Sequence, residues 1–93
     1  ASADRKFSMN ELFETLQSRK AEPPSKSYTQ TLFADRRLLL KKIMEEAYEA
    51  VSHSSKDNLR WEIADLLYFA SVLAVDEGIE WKEIESELAG RRR

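Results

Sequence analysis

The segment of residues 61–75 constrains the fold of this chain more than any other. Every position in it is apolar except Glu62, Asp65 and Ser71. On a helix these apolar side chains would surround the axis, and a helix that is apolar all round is normally buried. The rest of the chain must therefore supply elements that pack around this segment.

Turn-forming residues are scarce, which favours helices for the rest of the chain. The 93 residues include only two Gly and two Pro, too few for a β fold with many tight turns. The predicted elements are a helix that follows an N-cap at Ser8 and ends near residue 20, a loop over 21–27, a helical turn over 29–33, and helices over 36–52, 58–76 and 79–88. We therefore predict one all-α domain over residues 1–93, a bundle of four main helices plus a short helical turn.

The charge and the missing residue types exclude several functions. The formal net charge of -2 gives no electrostatic basis for binding nucleic acid or an anionic membrane. Without cysteine the chain forms no disulfide or thiolate metal site, and its single histidine, His53, excludes a histidine-rich zinc centre. No apolar run approaches the roughly 20 residues of a membrane span, and the amino terminus lacks a signal-peptide pattern. We therefore expect a cytoplasmic protein.

Two groups of carboxylates are the candidate functional residues. Glu45, Glu46 and Glu49 fall within an arc of about 100° on one helix, which is also what an ordinary solvent-exposed helix face looks like. Glu62 and Asp65 are harder to explain in that way, because they interrupt the apolar helix. A carboxylate in such surroundings is tolerated when it is protonated, paired with a cation or bound to a metal ion.

The five acids together exceed the positive charge that neighbouring residues could supply. Lys42 or an arginine could pair with one of them, and a divalent cation would offset the rest. Because all the candidate ligands are oxygen atoms, Mg²⁺ or Mn²⁺ is favoured over zinc or copper. Mg²⁺ usually completes its shell with waters and substrate phosphates, which indicates cleavage of a phosphate ester or phosphoanhydride. A free carboxylate could accept a proton from the attacking water.

A second set of candidates flanks the predicted loop. Cations and hydroxyls precede and follow it, and both groups suit phosphate oxygens, although a solvated loop would have the same composition. The set is Arg19, Lys20, Lys26, Ser27, Tyr28 and Thr29.

The order of these residues resembles that of a known superfamily. Glu45-Glu46-x-x-Glu49 followed by Glu62-x-x-Asp65 is similar to the E-E-x-x-E … E-x-x-D pattern of the all-α, MazG-like nucleotide pyrophosphohydrolases. Within that superfamily, further segments resemble the phosphoribosyl-ATP pyrophosphohydrolase family of histidine biosynthesis. They are Arg19-Lys20 with Pro24-x-x-Ser27-Tyr28-Thr29-x-x-Leu32, the run Ala64-Asp65-Leu66-Leu67-Tyr68, and the ending Glu87-Leu88 … Arg91. The resemblance covers residues 9 to 91, nearly the whole chain.

The resemblance implies an activity and a role for each candidate. The reaction would be the Mg²⁺-dependent hydrolysis of phosphoribosyl-ATP to phosphoribosyl-AMP and pyrophosphate, the second step of histidine biosynthesis. The metal ligands would be Glu45, Glu46, Glu49 and Asp65. The catalytic residues would be Glu46, Glu49 and Glu62, with Glu62 a ligand or a proton acceptor. The contacts to the nucleotide substrate would come from Arg19, Lys20, Ser27, Tyr28, Thr29 and Lys42.

The resemblance also implies partners. Members of the family form a homodimer whose active sites are completed across the interface, and a second copy would help to cover the apolar helix. The family often has Gly where Asp35 and Met44 stand here. The segments around these positions look closer to the domain in fungal multifunctional histidine enzymes, which is compatible with a domain of a larger fusion.

Two other interpretations stay open. A MazG-like pyrophosphohydrolase acting on ordinary or modified nucleoside triphosphates would carry the same acids, although the Ser27-Tyr28-Thr29 segment favours the histidine-pathway branch. A non-enzymatic helical dimerisation module would have acids that are merely solvated or paired in salt bridges.

Overall fold

In the computed structural model, residues 7–22 and 27–91 are described, and all of their regular structure is helical. The helices are α1 (Met9–Ala21), α2 (Tyr28–Ala34), α3 (Arg36–Val51), α4 (Lys56–Asp76) and α5 (Trp81–Ala89). This confirms the predicted all-α fold with four main helices and one short helix. The middle of the predicted loop, residues 23–26 with Pro24 and Lys26, lies outside the described residues. None of the helices in the described ranges has the length and apolarity needed to cross a membrane.

Side-chain caps decide where the helices begin. Ser8, Ser27, Asp35 and Ser55 each accept a hydrogen bond from the backbone N–H three residues later, which satisfies one of the donors left over in a first helical turn. The Ser55 cap explains why α4 begins at Lys56, earlier than the start predicted from the sequence.

The carboxyl end of α4 is closed by a glycine in the left-handed region. Gly78 has a φ of 77°, a conformation that strains residues with a Cβ. The backbone N–H of Ile79 donates to the carbonyl of Ala74 at 2.9 Å, as in a helix that ends on a left-handed residue. The chain then turns into α5, whose Trp81 ring packs on Phe13 of α1 with the ring centroids 5.6 Å apart.

The core lies around the carboxyl-terminal half of α4. This helix contacts α1, α2 and α3, and all four helices contribute buried apolar side chains. They are Phe13, Leu16, Leu32, Leu39, Phe69, Val72, Ala74 and Val75. Burial of a large apolar side chain contributes about 1.5–3 kcal/mol, so this cluster supplies much of the driving force for folding.

The amino-terminal half of α4 is covered less completely than its sequence suggested. Apart from Glu62, its buried residues all lie from Phe69 onward, while Ile63 and Leu67 are exposed and Trp61 is 69% exposed. A second exposed surface, the α3 apolar stripe, follows one side of α3. It consists of Leu40, Met44, Tyr48 and Val51. The helices bury mainly the carboxyl-terminal half of α4 and leave these surfaces uncovered within one chain.

Four charged side chains tie the ends of α1, α3 and α4 together. The Lys20 ammonium lies 3.4 Å from the Asp76 carboxylate and donates to the Asp76 carbonyl at 3.1 Å. The Arg36 guanidinium contacts Asp76 at 2.7 Å and Glu77 at 2.6 Å. Burial alone would raise the pKa of the Asp76 carboxyl, but the hydrogen bonds from Arg36 and Lys20 outweigh burial and lower this pKa. Asp76 therefore connects three helix ends through its charge.

Replacing Asp76 by Asn is expected to lower the free energy of unfolding at neutral pH by about 1 kcal/mol. The pKa of Asp76 is lower in the folded than in the unfolded state. Its contribution is therefore complete above about pH 4 and is lost as the pH falls through the folded pKa.

Urea unfolding of wild type and Asp76→Asn at neutral and acid pH measures this effect. The difference between the two proteins should shrink in acid. Glu77→Gln, which alters only the more exposed partner of Arg36, should have a smaller effect. A difference that is the same at both pH values would mean that the Asp76 charge is not what stabilises the three helix ends.

Candidate metal centre

Glu46 of α3 meets Glu62 and Asp65 of α4 between the two helices. Residues 52–55 join α3 to α4, and these two helices have the most extensive contact of any pair in the described ranges. Helices joined by so short a connection pack antiparallel, so the last turns of α3 lie beside the first turns of α4. One oxygen from each of the three carboxylates lies within 4.8 Å of the other two. We call these three residues the acidic trio.

The acidic trio is largely removed from solvent. Glu62 is only 6% exposed, and Glu46 and Asp65 are half-buried. The Oε2 atom of Glu46 is enclosed and has no hydrogen-bond partner among the described residues. A buried carboxylate oxygen without a partner is energetically unfavourable, so a ligand that contacts this atom would remove the penalty.

Burial and the repulsion of neighbouring carboxylates raise the pKa values of the two glutamates of the trio. Burial raises the pKa of Glu46, and the negative charges of Asp65 and Glu49 raise it further. A hydrogen-bonding contribution from Glu62 and the positive charge of Lys42 lower this pKa in part. Burial likewise raises the pKa of Glu62, with the charges of Glu46 and Glu49 adding to the effect. Without a cation Glu46 and Glu62 therefore retain protons to higher pH than separate, exposed carboxylates would.

The other two predicted acids lie in different surroundings. Glu49 is exposed, but its negative charge helps to raise the pKa of Glu62 and of Glu46, so it borders the acidic trio. The Glu45 carboxylate lies 3.5 Å from Lys42 and 3.9 Å from Lys41. Glu45 is therefore paired with cations of its own helix and stands outside the trio.

The acidic trio has the donor set that a divalent cation requires. All three side chains offer oxygen, the ligand atom that Mg²⁺ and Mn²⁺ prefer. Their clustered negative charge and the unpartnered oxygen of Glu46 are both compensated when a cation binds. These residues can therefore hold a metal ion, as the sequence predicted in general terms.

The predicted substrate residues of α2 lie beside α4. Thr29 Oγ1 and Tyr68 Oη form a hydrogen bond of 2.6 Å. The ring of Tyr28 packs edge-on against Phe69, with the centroids 6.2 Å apart. The Ser27 hydroxyl accepts the N-cap hydrogen bond of α2. The short helix is thus attached to α4 within about one turn of the acidic trio.

The predicted cations are divided between two places. Lys42 lies next to the acids and pairs with Glu45. Lys20 instead binds Asp76, which follows Asp65 by 11 positions, or about 16 Å along the axis of α4. Arg19 pairs with Glu22 on its own helix end at 3.9 Å. Within one chain, Lys20 is therefore held away from the trio.

The sequence prediction of functional residues did not include Tyr68. Its phenol is the group that joins Thr29 to α4, and it lies three positions after Asp65. A polar tip within an otherwise apolar helix was the signal that could have identified it, because a half-buried phenol usually needs a hydrogen-bond partner.

The fold and the acidic trio define an all-α protein with a candidate carboxylate cation site, the combination that the resemblance to the helical nucleotide pyrophosphohydrolases implies. The sequence model of the family "Phosphoribosyl-ATP pyrophosphohydrolase" matches residues 9–92. The chain belongs to this family, which confirms the resemblance found in the sequence.

Relatives of the chain differ widely in length. The phosphoribosyl-ATP pyrophosphatase of Lactiplantibacillus plantarum is 43% identical over 89 residues, which cover 89% of this chain and 82% of that protein. The histidine biosynthesis bifunctional protein his7 of Schizosaccharomyces pombe is 43% identical over 83 residues, 89% of this chain and 20% of that protein. The histidine biosynthesis trifunctional protein of Candida albicans is 43% identical over 77 residues, 83% of this chain and 9% of that protein. The chain thus spans a fifth or less of these two fungal relatives.

A divalent cation is expected to stabilise the folded chain more at about pH 8 than at about pH 5. Binding requires ionised carboxylates, and the raised pKa values of Glu46 and Glu62 make protons compete with the cation at the lower pH. In cation-free protein, Glu46 and Glu62 instead lower the stability of the folded state as the pH rises. The folded state holds more protons than the unfolded one, so stability falls as the pH rises through the raised pKa values.

Thermal unfolding with Mg²⁺ and with EDTA at both pH values measures this response. Glu46→Gln should lose most of the stabilisation by Mg²⁺, whereas Glu14→Gln, the same substitution on an exposed position of α1, should behave like wild type. Cation binding at the trio would be ruled out by an Mg²⁺ response that is independent of pH and survives Glu46→Gln.

Proposed function

We propose that this chain catalyses the Mg²⁺-dependent hydrolysis of phosphoribosyl-ATP to phosphoribosyl-AMP and pyrophosphate, the second step of histidine biosynthesis. The observation that carries the proposal is the acidic trio with the unpartnered, buried oxygen of Glu46. Family membership and the name of the Lactiplantibacillus plantarum relative, which aligns over most of its length, support the choice of substrate.

In this proposal Glu46, Glu49 and Asp65 hold the cation. When bound, Mg²⁺ supplies positive charge that compensates the phosphates of the substrate. Glu62 serves as a further ligand or as the acceptor of a proton from the attacking water, and its raised pKa makes it a stronger base than an ordinary carboxylate. Glu45 could join the ligands only by giving up its ion pairs on α3.

Groups around the trio would orient the substrate. Lys42 offers an ammonium next to the acids, which suits a phosphate oxygen. Three hydroxyls lie at the start of α2, on the side where this helix is attached to α4. They belong to Ser27, Tyr28 and Thr29.

In the chemical step, water attacks phosphorus, and the bond to the departing pyrophosphate breaks. Arg19 and Lys20 are not required by this arrangement.

We infer that the working assembly is a homodimer formed through the α3 apolar stripe. Met44 is 72% exposed in one chain, and such a run of apolar side chains is typical of an interaction surface. An open space of about 600 Å³ lies over this face of α3. Glu45 and Glu49 border the same space, so a second copy that covered the stripe would lie directly beside these two acids.

The purified protein is expected to release pyrophosphate from phosphoribosyl-ATP in the presence of Mg²⁺ and not in the presence of EDTA. ATP and dUTP should react far more slowly. Glu46→Gln and Asp65→Asn should each lower kcat by at least about 100-fold with folding retained, because each removes a charged ligand. Glu14→Gln is the matched control and should keep the wild-type rate.

The other outcomes of this assay identify the competing functions. Release mainly from ATP or dUTP would make the chain a pyrophosphohydrolase of other nucleoside triphosphates. A folded protein that releases pyrophosphate from none of the three substrates would favour the dimerisation module. Full activity in both acid variants would contradict the role of the acidic trio.

Met44→Asp is expected to convert the dimer into a monomer, because it buries an unpaired charge in an apolar interface. Sedimentation equilibrium measures the mass of each form. Leu88→Asp, an equivalent change at an exposed position of α5 outside the stripe, should remain dimeric. A wild-type monomer, or a Met44→Asp dimer, would show that the α3 apolar stripe is not the interface.

A further inference from the structure

A hydroxyl pair, Thr29 and Tyr68, joins α2 to α4 beside the acidic trio. The Thr29 Oγ1 and Tyr68 Oη atoms are 2.6 Å apart in a partly buried setting, which is short for a hydrogen bond between two hydroxyls. The Tyr68 ring also packs edge-on against Phe69, with the centroids 5.3 Å apart, and Phe69 belongs to the core. The phenol is therefore held by packing as well as by its hydrogen bond.

The hydroxyl pair has one proton more than its own bond uses. Each hydroxyl can donate once, and the bond between them takes a single proton. Either hydroxyl can donate in this bond. The phenol is the more acidic group and the better donor, which favours donation from Tyr68 to Thr29 Oγ1. The hydroxyl proton of Thr29 is then available for donation to another acceptor. Because Thr29 accepts a hydrogen bond from the phenol, the Thr29 O–H bond is polarised. An anionic oxygen is the acceptor that such a donor favours.

The position of the hydroxyl pair relates it to the cation site. Tyr68 follows Asp65 by three positions on α4, so the two side chains are neighbours on the helix surface. Helical side chains lean toward the amino end of their helix, which brings the phenol toward the turn that carries Asp65. Thr29 itself lies in the first turn of α2. A phosphate bound next to the acidic trio would therefore lie close to the Thr29 hydroxyl.

Building on the proposed function, we propose that Tyr68 is a positioning residue that orients the Thr29 hydroxyl to donate a hydrogen bond to a phosphate oxygen of the bound nucleotide. Tyr68 acts through Thr29 and does not contact the substrate. Its ring serves packing and its hydroxyl serves orientation, so the two roles can be separated by removing only the oxygen.

The test is steady-state kinetics with phosphoribosyl-ATP. Tyr68→Phe and Thr29→Val should each raise KM about tenfold, the fold-change expected when one hydrogen bond to a charged group is lost. The kcat should stay within about twofold of wild type if the contact is equally strong in ground and transition states. The double variant should have a KM no higher than either single variant, because both changes disable the same donor.

Two further variants separate orientation from simple stability. Thr29→Ser keeps the hydroxyl and should restore a KM close to that of wild type. Thr31→Val removes another hydroxyl of α2, one that donates to the Ser27 carbonyl at 3.1 Å. It should leave KM unchanged even if it lowers the thermal midpoint as much as Thr29→Val does.

Several results would overturn the positioning role. KM effects that multiply in the double variant would mean two independent contacts. A KM that rises in Thr31→Val while the thermal midpoint falls would mean a merely structural effect. If Tyr68→Phe does not fold, the comparison of Thr29→Val with Thr29→Ser decides, and equal KM values for the two would refute the proposal.

The failure of this inference can be distinguished from failure of the proposed function. Wild-type protein that does not turn over phosphoribosyl-ATP would refute both. Wild-type turnover with an unchanged KM in Tyr68→Phe and Thr29→Val would refute the positioning role alone and leave the activity in place.

Discussion

The packing of α3 against α4 is the contact on which the candidate site depends. It puts Glu46 beside Glu62 and Asp65, and it also removes water from Glu62 and from one oxygen of Glu46. As free acids these groups are unfavourable, because burial and mutual repulsion raise the pKa of both glutamates. The same burial would strengthen their attraction for a divalent cation, since charges interact more strongly where water is excluded. One helix contact therefore produces both the electrostatic penalty and the reason to bind a metal ion.

The two halves of α4 serve different purposes. The half that includes Phe69 and Val72 is enclosed by α1, α2 and α3 and supplies the core, and the charges around Asp76 attach the end of the helix to its neighbours. The other half carries the acids and leaves Ile63 and Leu67 exposed. Stability is thus concentrated away from the site, so an unfavourable carboxylate cluster can be tolerated at one end of a helix that is well anchored at the other. The bond between Thr29 and Tyr68 lies between these two regions.

The helices were predictable because their signals are local. The caps Ser8 and Asp35 act within three residues of their own positions, and apolar spacing repeats within a few turns. The start of α4 was predicted too late, because the effect of the Ser55 cap was overlooked in a polar segment. The site was predictable only as two acidic helices that converge. Which carboxylates meet depends on the rotation and offset of α3 against α4, and neither quantity is encoded in a short motif.

By itself the sequence determined the helical class, the family, and the oxygen ligands that are available to a cation, because periodicity, capping and motif spacing are properties of short segments. Only the tertiary structure decided that Glu46 joins the buried acids while Glu45 pairs with lysines of its own helix. It also decided that Lys20 binds Asp76, 56 positions away, and that Thr29 meets Tyr68. These partners are distant in sequence, and their contacts follow from how complete helices pack, where burial and charge at one position depend on every neighbouring element.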